Sequence, residues 1–205
     1  MEQRTDEWYQ ARLGCVTASR TADILAKTKS GYSTSRANYM ADLIVERLTG
    51  KAPEGFTSSA MQWGTETEPQ ARMAYEIITG NEVTETGFVP HPQIEGFGAS
   101  PDGLVGEDGL VEIKCPNTNT HINTLLDEKI SHKYVIQMHV QMLCTERDWC
   151  DFVSFDPRLP VDMQLFIKRV KRDKKLADEI LGEVAKFLEE IDEKIEALKV
   201  KVSND

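Results

Sequence analysis

The stretch that decides the fold is Ser100-Pro101-Asp102-Gly103-Leu104, followed shortly by Gly109-Leu110-Val111-Glu112-Ile113-Lys114-Cys115-Pro116. Residues two apart in a strand project to the same face, so Glu112 and Lys114 point together while the apolar residues beside them point to the other side. The turn between the two segments is short enough to bring Asp102 beside Glu112 in an antiparallel pair. Two carboxylates and one ammonium are therefore predicted to converge.

This set of groups is the one that phosphodiester hydrolysis needs, because the reaction requires a deprotonated water and neutralised phosphoryl oxygens. Hard oxygen ligands suit Mg²⁺, with Mn²⁺ as a possible substitute. We expect Asp102, Glu112 and the backbone carbonyl of Ile113 to hold the metal, and Lys114 to orient or help deprotonate the attacking water. An E-x-K triplet alone is common on solvated strand edges, but its apolar neighbours here indicate a core strand, where unpaired charge is costly.

Outward from this hairpin, the spacing of apolar residues predicts alternating helices and strands. Met61, Ala71, Tyr75 and Ile78 are expected to face inward from a helix that Gly80 ends. The predicted elements are short helices within Thr5–Ala26, a mobile loop over Thr28–Ser35, a helix over Arg36–Thr49 stopped by Gly50 and Pro53, a helix over Ser58–Thr79, an antiparallel strand set within Glu82–Lys114, helix through Thr120–Leu143, and a strand over Trp149–Phe155. This order predicts an α/β fold with a central mixed sheet flanked by helices.

The C-terminal stretch Val161–Val200 is predicted to be a long charged helix or a pair of helices. Its apolar residues recur in steps of three and four and form one stripe, namely Ile180, Val184, Phe187, Ile191, Ile195 and Leu198. The stripe fits a helix docked on its own domain, and a subunit contact or coiled coil is the alternative. We expect one nuclease domain over residues 1–205, with a core over 1–160 and a helical extension over 161–205.

The composition adds constraints on compartment and partners. No segment has the length of a membrane span or the pattern of a signal peptide, so we expect a cytoplasmic protein. The four cysteines lack C-x-x-C pairing and the four histidines are scattered, so free thiols are expected rather than a zinc site. A net charge of −10 opposes broad attraction to nucleic acid, unless positive charge is local or is supplied by bound metal ions.

The sequence resembles the phage lambda-type alkaline exonucleases, a viral recombinase branch of the restriction-endonuclease-like PD-(D/E)XK superfamily. The resemblance covers roughly the first three-quarters of the chain. It rests on Trp8-Tyr-Gln-Ala-Arg12-Leu-Gly14 with Thr17-Ala-Ser19, Trp63-Gly64-Thr-Glu-Thr-Glu68, Ser100-Pro-Asp102-Gly103, Glu112-Ile-Lys114-Cys-Pro116, Gln137 with Gln141, and Phe155-Asp-Pro-Arg158. It implies the restriction-endonuclease-like core and DNA as the substrate.

The resemblance also implies roles for residues that the bare sequence leaves ordinary. Arg12 would bind the terminal 5′ phosphate, a task that suits a planar guanidinium, and Ser19 would be a second phosphate contact. Glu68 would add an acid to the metal site, and Gln137 would lie beside the catalytic centre. Without the resemblance, we would interpret Arg12 as a surface arginine, Glu68 as a solvated helix residue and Gln137 as part of a polar stripe.

The resemblance further implies a ring-shaped homotrimer that admits duplex DNA and degrades the 5′-ended strand processively, leaving a 3′ tail. A phage single-strand annealing protein would be the partner that coats this tail, inside a bacterial host cell. A ring that encloses the DNA would compensate for the weak electrostatic attraction between DNA and an acidic protein. Lys29 is our candidate for guiding the DNA end, and a plain solvated loop lysine is the alternative.

Two other functions remain open from the sequence. An endonuclease of the same superfamily would share the acidic residues and the metal, but would cut closed circles and would not depend on Arg12. A non-catalytic DNA-end-binding scaffold would keep the fold without turnover, and the intact Asp102, Glu112 and Lys114 argue against it.

Overall fold

The computed structural model describes residues 1–52 and 58–203. The helices are α1 (Asp6–Arg12), α2 (Thr21–Leu25), α3 (Thr34–Thr49), α4 (Ser59–Thr79), α5 (Thr118–Asp127), α6 (His132–Thr145) and α7 (Lys174–Ser203), with 3-10 turns at Ala18–Arg20 and Val161–Met163. The strands are β1 (Val16–Thr17), β2 (Lys27–Thr28), β3 (Gly31–Tyr32), β4 (Val83–Thr84), β5 (Val89–Pro90), β6 (Phe97–Ala99), β7 (Gly103–Val105), β8 (Gly109–Lys114), β9 (Trp149–Phe155) and β10 (Leu165–Lys171).

The central sheet is mixed and has five strands in the order β10-β9-β8-β7-β4. Strands β8 and β9 are parallel, and the other neighbours are antiparallel. The parallel pair requires a crossover, which α5 and α6 provide. The predicted α/β class with a central mixed sheet flanked by helices is confirmed, as is the hairpin of β7 and β8, in which Gly103 pairs with Val111.

Strands β5 and β6 do not join this sheet. They form a second, three-stranded sheet with β1, in which β1 and β6 run parallel. The expected antiparallel set from Glu82 to Lys114 is therefore divided between two sheets. The segment before Asp102 belongs to the small sheet and the segment after it belongs to the central one, so Asp102 lies where the chain crosses between them.

Helices α3 and α4 begin and end close to their predicted bounds. Each is stopped by a glycine with positive φ, Gly50 at 66° and Gly80 at 69°, a conformation that costs glycine little. Pro53, the other predicted stop, lies outside the described residues. In α4 the prediction of inward residues is half wrong: Ala71 and Tyr75 are buried, whereas Met61 and Ile78 are exposed.

Two segments differ from the sequence-based prediction. The expected loop over residues 28–35 contains the β2–β3 hairpin and the first turn of α3, because Gly31 and the tight turn let two short strands pair. The expected helical segment from Val161 was wrong for Leu165–Lys171, which pairs with β9 along its full length as β10. Pairing with the edge of the sheet satisfies the backbone hydrogen-bonding groups of this segment. The segment is therefore a strand, although the sequence that follows it is helical. The division into residues 1–160 and 161–205 stays a prediction.

Helix α7 packs on its own chain. Its buried stripe contains five of the six predicted apolar residues, while Leu198 is exposed. The stripe joins the core formed with α2, α3 and α6, which confirms docking on the same chain. Within the described ranges, none of the helices combines the length and apolar character needed to cross a lipid bilayer. The cysteines Cys15, Cys115, Cys144 and Cys150 are free.

Candidate active site

Glu112 lies in the middle of the central sheet and is fully buried, at 0% exposure. Strand alternation places Val111 and Ile113 on the opposite face, as predicted. On its own face, Glu112 accepts hydrogen bonds from the side-chain amides of Gln137 at 2.7 Å and Gln141 at 2.5 Å. Both glutamines come from α6, where a spacing of four residues puts them on one side of the helix.

Lys114 forms a salt bridge with Glu112 and is half-buried. Its ammonium also lies 5.1 Å from the ring centre of Tyr134. Burial lowers the pKa of Lys114, but the carboxylates of Glu112 and Asp102 outweigh this effect and raise the pKa above its ordinary value. The lysine is therefore a fixed positive charge at neutral pH, held between carboxylates and open to solvent on one side.

Asp102 lies beside Glu112 and Lys114, on the connection between β6 and β7. Its carboxylate accepts a hydrogen bond from the backbone N–H of Ile113 at 2.7 Å, and the hairpin register puts it level with Glu112. Burial, and then the neighbouring charge of Glu112, hold the pKa of Asp102 well above its ordinary value. A carboxylate in this setting gains from a nearby cation, because added positive charge favours its ionised form.

Glu68 stands across an open cavity from these groups. We call this the acidic cavity; it is lined among others by Glu68, Asp102, Ile113 and Lys114. One carboxylate oxygen of Glu68 accepts from Arg4 at 2.7 Å and the other from Arg72 at 3.2 Å. Sequence reasoning missed Arg4, whose only signal was a basic residue just ahead of α1.

The donor set around the acidic cavity fits a hard divalent cation. Asp102 and Ile113 line this cavity and Glu112 is buried next to them, and carboxylate and carbonyl oxygens are the ligands that Mg²⁺ prefers. Across the described residues there is no preformed cluster of three His, Cys, Asp or Glu side chains that could hold a metal. The side chain of Glu68 is engaged by arginines, and that of Glu112 by Lys114 and two glutamines.

Arg12 lies on α1, at the mouth of a second cavity. We call this the Arg12 cavity; it is lined among others by Trp8, Arg12, Gln62 and Thr65, and it shares Arg4, Met61 and Thr65 with the acidic cavity. The guanidinium stacks on the ring of Trp8 at 3.8 Å, and burial lowers the pKa of Arg12. Among the described residues, its buried Nε has no hydrogen-bond partner.

The helix that carries Arg12 is tied to the loop that carries Asp102. The indole N–H of Trp8 donates to the hydroxyl of Ser100 at 2.9 Å. Ser19 is exposed and lies within 3.5 Å of the Thr17 hydroxyl, and Thr17 lines a further cavity beside Arg12. Lys29 lies elsewhere, at the turn of the exposed β2–β3 hairpin, whose flanking Lys27 pairs with Glu183 of α7 at 2.9 Å.

The structure thus brings Asp102, Glu112, Lys114 and Gln137 together, places Glu68 across one cavity, and leaves Lys29 on a separate surface element. Gln141 is a contact of Glu112 that the sequence had offered only as part of a motif. The mixed sheet has a buried strand that carries an acid and a lysine, with a second acid beside them. This arrangement is typical of the restriction-endonuclease-like nuclease folds.

The chain belongs to the YqaJ-like viral recombinase domain family, whose sequence model matches residues 7–148. Its structure is similar to that of LHK-Exo, an alkaline exonuclease from Laribacter hongkongensis solved in complex with dAMP, with a TM-score of 0.92 and 56% identity over 98% of this chain and 99% of that one. The predicted family and fold are therefore confirmed.

Two more distant proteins are also similar. A phage-related exonuclease from Haemophilus somnus 129PT shares the fold, with a TM-score of 0.74 and 19% identity over 90% of this chain and 96% of that one. An uncharacterized protein, R354, from Acanthamoeba polyphaga mimivirus is 25% identical over 169 residues, which is 75% of this chain. The match spans 29% of the length of that viral protein.

Proposed function

We propose that this protein is a Mg²⁺-dependent exonuclease that degrades linear double-stranded DNA processively from 5′ to 3′ and leaves a 3′ single-stranded tail for recombination by single-strand annealing. The observation that carries the proposal is the buried Glu112–Lys114 pair beside Asp102, at a cavity that continues towards Arg12. The similarity to the alkaline exonuclease LHK-Exo supports the same activity.

Asp102, Glu112 and the carbonyl of Ile113 would hold the metal, with Glu68 as a further acid and Mn²⁺ as a possible substitute. When bound, Mg²⁺ would neutralise phosphoryl oxygens and lower the pKa of a coordinated water. Glu68 would take part only if its ion pairs with Arg4 and Arg72 opened or were shared.

Lys114 is the residue that would handle the attacking water. Its ammonium lines the acidic cavity and is fixed by Glu112, so it can orient a water by donating a hydrogen bond and stabilise the negative charge that develops as the water loses its proton. Gln137 and Gln141 hold both oxygens of Glu112. This restricts the carboxylate to one orientation, as outer-shell partners do for metal ligands.

Arg12 is proposed to bind the terminal 5′ phosphate, with Ser19 as a second contact. The stacking on Trp8 fixes the guanidinium plane, and a phosphate would supply the acceptor that its buried Nε lacks among the described residues. The link from Trp8 to Ser100 would keep the end-binding residue at a constant distance from Asp102.

The assembly and its setting are part of the proposal. We infer a single nuclease domain over residues 1–205, a homotrimeric ring around DNA, Lys29 as a guide for the substrate end, and a phage single-strand annealing protein as the partner in the cytoplasm of a bacterial host. The net charge of −10 supports enclosure over electrostatic grip, because polyanion affinity otherwise depends on many basic contacts.

The test is digestion of linear duplex DNA labelled at either end, with and without Mg²⁺. Substrates with 5′-phosphate, 5′-hydroxyl and no ends are compared side by side. Magnesium-dependent loss of the 5′-phosphorylated strand, with circles intact, is the expected result. Cutting of circles would replace the proposal with an endonuclease, and no cutting with any divalent metal would replace it with a DNA-end-binding scaffold.

A further inference from the structure

Arg4 has a backbone conformation that is uncommon for residues other than glycine, with φ at 68°. It is held there by its neighbours. The amide of Gln3 donates to the carbonyls of Thr86 at 2.8 Å and Pro101 at 2.7 Å, and Thr5 caps α1 through the N–H of Trp8. Such strain persists only where the surroundings impose it, and it clusters at functional sites.

The anchoring places the Arg4 side chain over the predicted site. Gln3 is fixed to the residue directly before Asp102, so Arg4 is positioned relative to that carboxylate. The guanidinium reaches Glu68 at 2.7 Å through one Nη atom, and the side chain is 46% exposed. Nearly half of the side chain is therefore accessible at the cavities that it lines.

Arg4 is also the basic residue common to both cavities. It lines the acidic cavity with Asp102 and Lys114, and the Arg12 cavity with Arg12 and Trp8. A strand bound with its end at Arg12 and its scissile phosphate at Lys114 would pass this side chain. In a protein with a net charge of −10, a local cation on that path matters more than the same residue would elsewhere.

We propose that Arg4 is a DNA-binding residue that contacts a backbone phosphate between the acidic cavity and the Arg12 cavity. This inference rests on the proposed nuclease function. The ion pair joins the half-exposed Arg4 to the largely buried Glu68 and uses one terminal nitrogen of the guanidinium, so the pair orients Arg4 and leaves part of its guanidinium accessible. A phosphate replaces solvent on the free donors, and the planar fork favours a two-point contact.

The test compares Arg4→Gly with the wild type. Glycine suits the positive φ, so the melting temperature should not fall. Binding of a 5′-phosphorylated duplex end is measured by fluorescence anisotropy with Ca²⁺ in place of Mg²⁺, over a series of salt concentrations. We expect Kd to rise about tenfold, as for loss of a charged hydrogen bond, and the salt dependence to fall by about one counterion.

Two further variants make the result specific. Arg4→Lys keeps the charge, so its salt dependence should equal that of the wild type while Kd rises less than in Arg4→Gly. Arg172→Ala is the matched control, because it removes an exposed arginine paired with Asp148 at the opposite end of β8 and should leave Kd unchanged.

Failure of the inference and of the proposed function are distinguishable. If the wild type binds and digests DNA ends, and both Arg4→Gly and Arg4→Lys match it in Kd and salt dependence, the role of Arg4 is overturned while the nuclease stands. If the wild type neither binds nor digests DNA ends, the proposed function itself is overturned, and this inference with it.

Discussion

Glu112 and Asp151 are buried carboxylates on neighbouring parallel strands, at 0% and 3% exposure. Asp151 pairs in register with Val111, the residue before Glu112. The side chains of the two acids therefore project to opposite faces of the sheet. Both face the same physical problem, because a charge in a sheet core is costly without partners. They solve it differently.

Asp151 is enclosed by its partners. Arg169 donates to both of its oxygens at 2.8 and 2.9 Å, and Tyr75 donates at 2.8 Å. The guanidinium also stacks on the ring of Trp149, 3.4 Å from the ring centre. This cluster is complete within the protein and gives a structural ion pair.

The counter-ions of both acids are partly exposed, Lys114 at 28% and Arg169 at 46%, but Lys114 lies beside a second acid at a cavity. Two amides hold the carboxylate from α6, but its cation, Lys114, lines the acidic cavity together with Asp102. The difference teaches that a buried acid in an apolar strand does not by itself indicate catalysis. The distinguishing feature is a counter-charge that opens onto a cavity and a second acid beside it.

The largest effect is expected from Glu112→Gln or Asp102→Asn. Each change removes a proposed metal-holding charge with little change in shape, so digestion of linear DNA should fall by about 10³-fold or more. Initial rates under saturating Mg²⁺ measure this, with circular dichroism as the check on folding. The matched control is Asp151→Asn, and an Asp151→Asn rate as low as that of Glu112→Gln would erase the contrast between the two acids.

Lys114→Ala should abolish most hydrolysis while keeping metal binding. The ammonium is proposed to act on water, so calorimetric titration should still detect Mg²⁺ or Mn²⁺ in the variant, whereas Glu112→Ala should lose it. We expect a rate loss of about 10²- to 10³-fold, similar to removal of an oriented charge-stabilising donor. Retained activity at neutral pH would remove the lysine from the mechanism.

Asp151→Ala should act on stability instead of chemistry. It removes the acceptor of the buried Tyr75 hydroxyl, which keeps the longer contact from Asn81, and it frees Arg169, which is half-exposed. A loss of about 2–3 kcal/mol in the free energy of unfolding is expected. Urea denaturation measures it, and Asp148→Ala, which breaks an exposed pair, should cost less than about 1 kcal/mol. An unchanged midpoint would show that the Asp151 cluster does not stabilise the sheet.

Gln141→Ala should lower activity by about 10- to 100-fold, as is typical when an outer-shell partner of a metal ligand is lost. The hydrogen bond of 2.5 Å to Glu112 is the reason. Gln137→Ala should give a loss of similar size, since it releases the other oxygen. Both variants should need a higher Mg²⁺ concentration for half-maximal rate. A rate loss at unchanged metal affinity would point to a role other than holding Glu112.

The smallest effect is expected from Tyr75→Phe, at about 1 kcal/mol near neutral pH. Burial and the hydrogen bond to Asp151 raise the pKa of Tyr75 to about 12. The folded state therefore keeps this proton where the unfolded chain has lost it, and the stabilisation is full below pH 10 and disappears as pH rises through about 12. The stability difference between wild type and variant should shrink over that range, and a constant difference would contradict the shift.

The sequence by itself determined the site hairpin. A short turn between two strands fixes register, and register fixes which side chains share a face, so the local pattern alone places Asp102, Glu112 and Lys114 together. The bounds of α3, α4 and β9 were equally local, because caps, glycine stops and strand alternation act over a few residues. The docking face of α7 followed from its apolar stripe for the same reason.

Tertiary structure decided what depends on distant partners. Strand β10 forms because β9 offers an unpaired edge, and no local pattern in Leu165–Lys171 indicated it. The contact between Glu68 and Arg4 joins residues 64 positions apart in the chain. The same holds for Asp151 and Glu112. The sequence shows two acids in apolar strands, and only the side chains brought in from α4, α6 and β10 give each acid its hydrogen-bond partners.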